Sequence, residues 1–192
     1  MPRLQVPWTK ICGREVLPDG KPGNDMCHVM TWISDGPQSG LFAIGLKHPS
    51  AGQATTLTLE FVHPAPDLHV MIDGVAVPLV FKPATCTPDA CLRETELTPE
   101  ILASLLREKN LMVTSGTLSL GQRSVELSLQ GLTAAMMGPK ASAADAELFL
   151  AELEVVGWRS AFRDQGPEGT AVNGEQRLLS VPQLFAKRIK LN

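Results

Sequence analysis

Apolar and polar positions alternate along most of the chain. In "TTLTLEFV" (55–62), Leu57, Leu59 and Phe61 alternate with Thr56, Thr58 and Glu60, the two-residue period of a half-buried strand. Further short apolar runs are "VPWTKICGR" (6–14), "MCHVMTWI" (26–33) and "LFAIGLK" (41–47). The stretch "EVLPDGKPGND" between the first two is rich in Pro, Gly and Asp, as connecting loops are. "LHVMIDGVAVPLVF" (68–81) predicts a hairpin. Its Asp73-Gly74 pair suits a type I′ turn, in which both central residues need positive φ. Pro78 has no N–H for a ladder, so the second arm is expected at an edge or a bulge. "GTLSLGQRSVELSLQGL" (116–132) predicts a second hairpin, with Leu118 and Leu120 in one arm and Val125, Leu127 and Leu129 in the other.

The period lengthens in "LTPEILASLLREKN" (97–110). Thr98 is placed as an N-cap and Pro99 as the first helical residue. Glu100 sits where the helix dipole favours an acid. Ile101, Leu102, Leu105 and Leu106 form one apolar stripe. Arg107 and Lys109 suit the last turn, and Asn110 is expected to end it in a left-handed conformation. A second helix is expected from about Ala143 to Glu154, with Ser142 as its cap.

These elements predict a mainly β chain: an antiparallel β-sandwich with one short helix at about 98–109 and a partly helical C-terminal extension. The sandwich domain spans 1–137 and the extension 138–192. In the extension Leu148, Phe149, Leu150 and Leu153 are apolar, while Asp145, Glu147, Glu152 and Glu154 supply a wet face. Trp158 and Phe162 lie at i and i+4, as an anchoring pair does. Docking of the extension on its own sandwich is favoured over a homodimer contact or domain swap through 143–162. "RDQGPEGTAVNGEQ" (163–176) reads as a loop. Residues 177–192 hold four basic residues and no acid, which predicts a solvated helix face, with contact to anionic lipid as the rival reading.

Composition narrows the function classes. A chain of 192 residues is one ordinary domain, or one domain with an extension. Aromatics make up 5% and tyrosine is absent, so the core must rest on Leu, Val, Ile and Met. Seventeen basic and 20 acidic residues give a net charge of −3, which argues against nucleic acid as a partner. No apolar run reaches the roughly 20 residues that span a bilayer. The opening "MPRLQVPWTKICG" lacks the apolar stretch of a secretory signal, which leaves a cytosolic chain or one whose targeting segment has been removed.

Four cysteines, Cys12, Cys27, Cys86 and Cys91, discriminate between those two. Their spacings, C-x14-C and C-x4-C, are not zinc knuckles, and His28, His48, His63 and His69 show no ligand spacing. A redox pair wants CxxC at a helix N-terminus, which neither spacing supplies. Structural disulfides fit best, and with them an oxidising compartment. Local pairings, Cys12–Cys27 and Cys86–Cys91, are worth ~3 and ~2 kcal/mol by chain entropy, and crossed pairings ~4–5 kcal/mol. Entropy therefore does not select the local pairing, but hairpin geometry does.

The chain contains no nucleophile elbow, zinc-protease helix or phosphate-binding loop. The expectation is a protein that is not an enzyme and needs neither cofactor nor metal. His48 and His63 each precede a proline and are expected at strand ends on the surface. Trp8 and Trp32 flank the first two cysteines and are expected to pack against a disulfide. The rival reading has Trp8, Trp32 and Phe42 form an exposed sugar-stacking face.

"PWTKIC", "NDMCHVM", "TLTLEFVHP", "VMIDG", "FKPATCTPDAC" and "LSLGQRSVELSLQGLTAAM" occur here in one order. Over about residues 6–137 that series resembles the invasion-associated locus B proteins of alphaproteobacteria. The resemblance implies an exported, disulfide-bonded, mostly-β protein of the periplasm or cell envelope. Some family members are associated with host-cell invasion, so an envelope or host protein is the implied partner. No catalytic residues come with the family. The pattern departs at Ala90, where the family usually has glycine before the fourth cysteine, and at 138–192, which extends beyond the family core. A carbohydrate-binding or periplasmic inhibitor module is the alternative function, since sandwiches commonly carry such sites.

Overall fold

The computed structural model describes residues 5–16, 21–33, 41–49, 54–61, 67–86, 91–117, 121–149, 151 and 189–190. Eleven strands among them form two antiparallel sheets. One sheet has the order β11-β1-β2-β3-β4-β8-β7, built from Ile189–Lys190, Thr9–Val16, Pro22–Trp32, Leu41–Pro49, Thr56–Phe61, Cys91–Glu96 and Thr85–Cys86. The other has the order β10-β9-β5-β6, built from Gly121–Ser128, Asn110–Thr117, Leu68–Ile72 and Val75–Val77. Helices α1 (Pro99–Arg107) and α2 (Leu132–Met137) sit between and after the strands, and residues 143–149 are also helical.

Register explains the core. Directly paired residues share a face of a sheet. Val29, Leu46 and Leu57 lie in one such row, and Ile44 and Leu59 in the next. Val77, Val70, Val113 and Val125 form the facing row on the smaller sheet. Apart from the half-buried Val77, these side chains are buried together with Trp8, Phe61, Leu105 and Leu132, so the sandwich closes on a mainly aliphatic centre. Each fully buried Val, Leu or Ile there contributes ~1.5–3 kcal/mol.

The Asp73-Gly74 turn forms as expected, with φ of 43° and 82°. Strand β6 stops at Val77, one residue before Pro78, at the edge of its sheet. Thr98 caps α1 by accepting the N–H of Ile101 at 3.3 Å, and Pro99 opens the helix.

Several expectations need correction. Asn110 does not end α1 in a left-handed conformation. The helix ends at Arg107, Glu108 is extended, and Asn110 already belongs to β9. The second hairpin starts earlier than its apolar alternation suggested: its first arm is Asn110–Thr117, and Leu118 and Leu120 lie outside the described residues. Strand β4 is buried on both faces, not one, because Thr58 and Glu60 are as inaccessible as Leu57 and Leu59. At the chain's end, Ile189 and Lys190 are a strand paired with Arg14 and Glu15, not a helix. Leu150, Leu153, Trp158, Phe162 and the loop at 163–176 lie outside the described residues.

Candidate functional site

The sulfur atoms come first. Cys12 of β1 lies opposite Cys27 of β2, and Cys86 of β7 lies opposite Cys91 of β8. Each pair is a disulfide, with Cα atoms 4.0 and 4.1 Å apart. Both staples fall in the seven-stranded sheet, one near each edge, and no cysteine remains free. All four sulfurs are thereby unavailable as thiolate nucleophiles or metal ligands. Among the described residues, no group of three or more His, Cys, Asp or Glu side chains gathers as a metal site.

Neither tryptophan is on the surface. Trp8, 8% exposed, joins the core between the sheets, and its indole N–H donates to the Ser128 carbonyl at 3.0 Å. Gln5 reinforces that junction: its Nε2 donates to the same carbonyl, and its Oε1 accepts the Ser128 N–H. Gln5 and Trp8 thus lock the segment before β1 to the end of β10 on the opposite sheet. Trp32, 7% exposed, belongs to the other face of the larger sheet. The exposed stacking row expected as the alternative is therefore not formed by Trp8 and Trp32. Phe42 sits in β3 at the register shift between Leu41 and Ala43, and its side chain lies outside the described residues.

The face that carries Trp32 holds a group the sequence did not reveal. Trp32, Ala43, Glu60 and Leu92 are directly paired across β2, β3, β4 and β8, so they share it. Ile11, His28, Met30 and Thr58 lie on the same face. All are buried, and Glu60 is 0% exposed. The His28 ring stands 3.1 Å from the Met26 sulfur through Nε2. None of this set belongs to the cluster between the sheets. The apolar residues on this face could have been noticed from the tryptophan–methionine spacing in "MCHVMTW"; the burial of Glu60 had no sequence signal, because an alternating acid reads as solvated.

The remaining histidines do not converge. His48 is exposed with Nδ1 3.1 Å from the Thr55 hydroxyl, His69 is exposed, and His63 lies outside the described residues. One acid does have a perturbed environment. The Asp73 carboxylate accepts the backbone N–H of Lys109 at 3.1 Å and of Asn110 at 2.8 Å, and those two bonds hold its pKa below the ordinary value. It pins the hairpin tip to the α1–β9 junction, a structural task.

Among the described residues no helix is long and apolar enough to cross a membrane. Searches of curated proteins and of solved structures returned no match to the chain. A family model does match it, the invasion associated locus B (IalB) protein, over residues 8–140. That span runs from Trp8, through both disulfides, past α2. The chain therefore belongs to the invasion associated locus B family.

Proposed function

We propose that this is an exported, non-enzymatic protein of the cell envelope, acting by contact with an envelope or host-cell partner. The observation that carries the reading is the pair of cross-strand disulfides inside the family-matched span. Disulfides persist in oxidising compartments and are rare where glutathione keeps thiols reduced. The family's name supplies the association with invasion. The absence of convergence among histidines, acids and thiols in the described residues agrees with action by surface contact. The carbohydrate-binding alternative loses its main support, because two of its three aromatic residues are buried.

Two measurements in the native bacterium test it. Fractionation followed by antibody detection should place the protein in the periplasmic or envelope fraction; recovery in the cytoplasm overturns export. Deleting the gene should lower entry into host cells, and restoring it should recover entry. Unchanged entry removes the host-contact part and leaves an envelope role.

A further inference from the structure

The centre of the outer face of the seven-stranded sheet is buried, although the smaller sheet packs on the opposite face. Ile11, Met30, Trp32, Ala43, Thr58, Glu60 and Leu92 lie on it, and none is in the cluster between the sheets. Something in the chain covers them. The described residues show where the C-terminal extension meets this sheet. The Ala141 N–H donates to the carbonyl of Lys10 at 2.8 Å, so the chain passes along the β1 edge after α2. The Lys10 ammonium holds that crossing by donating to the Met136 and Gly138 carbonyls at 2.9 and 3.0 Å. Residues 143–149 then turn helical, with Ser142 capping through the Asp145 N–H at 3.1 Å. On that helix Ala146 is buried and Phe149 is 5% exposed, yet neither joins the inter-sheet cluster, and Leu148 is 61% exposed. The chain reappears at Ile189–Lys190, paired with β1 at the edge of the same sheet.

We propose that this outer face is a docking surface for the chain's own C-terminal extension, with Phe149 as its first anchor. Both ends of the extension are fastened to β1, and the intervening length is ample to traverse the sheet. The family match ends at residue 140, so the extension lies beyond the matched span. Removing the cover exposes a broad apolar surface of the kind that recruits partners.

A photoreactive benzoylphenylalanine at position 149 of the full chain tests this. Irradiation of a mixture of isotopically light and heavy protein should capture the peptide containing Met26 and Met30, within one chain. Capture of any other region, capture between chains, or no capture overturns the proposal. A second arm reads peroxide oxidation of Met26 and Met30 against the exposed Met137. Phe149→Asp should raise the first two rates about ten-fold relative to Met137, and Leu148→Asp should leave them unchanged. A change below two-fold for Phe149→Asp, or an equal rise for Leu148→Asp, overturns it. Should Phe149→Asp fail to fold, the cross-link decides alone.

Discussion

Asp73 combines two local demands. It adopts a left-handed conformation that Asp tolerates better than most residues, and its carboxylate takes two backbone N–H groups at the α1–β9 junction. Its folded pKa is depressed, chiefly by the Lys109 and Asn110 amides. A depressed carboxylate contributes stability above the unfolded value, about 3.9, and loses it as pH falls through the lower folded value. Asp73→Ala should therefore lower the melting temperature at pH 7, and the gap from wild type should shrink below about pH 4; a gap that is constant with pH refutes the charge argument. Gly138 makes a different demand. A Cβ there would stand 2.6 Å from the Ala134 carbonyl oxygen, a backbone atom with little room to yield. Gly138→Ala should cost about 1–3 kcal/mol in urea unfolding, and a cost near zero would mean that the turn after α2 relaxes freely.

At the scale of elements, α1 shows how local signals and packing divide the work. Thr98 caps it, and Leu105 is its one fully buried residue. Thr98→Ala should cost ~1 kcal/mol, and Leu105→Ala ~2–5 kcal/mol, read as shifts in urea midpoint at constant slope; equal costs would contradict the assigned burial. This helix and the Asp73-Gly74 hairpin were legible because each carries chemistry that admits one local solution. Strand β8, Cys91–Glu96, was not, because Arg93, Glu94 and Glu96 hide its alternation. Strand β9 was missed at its start because it follows α1 without the turn residues that usually separate elements. The polar side of β4 misled for another reason. Thr58 and Glu60 alternate as a solvated face does, and only long-range packing decides that they are covered. The local cysteine pairing was legible through hairpin geometry, whereas the covered face around Trp32 was not, since no local pattern encodes it.

Over the whole molecule, the larger sheet is a stapled scaffold. Its two disulfides close loops with sequence separations of 15 and 5 residues near opposite edges. Replacing Cys12 and Cys27 together by Ala should cost ~3 kcal/mol, and replacing Cys86 and Cys91 ~2 kcal/mol, in the chain-entropy account. The reverse order would show that native packing, not loop closure, sets their worth. The edges are short, two residues each at β7 and β11, which limits strand-to-strand association between molecules. Family membership and the two staples in a two-sheet core show a disulfide-locked sandwich and support the proposal that it is exported. The most direct test is intact mass and peptide mapping of protein taken from the native cell envelope and alkylated under denaturing conditions. The account predicts no alkylated thiol before reduction, four after it, and cross-linked peptides joining Cys12 to Cys27 and Cys86 to Cys91. Four free thiols before reduction, or crossed pairings, would contradict it.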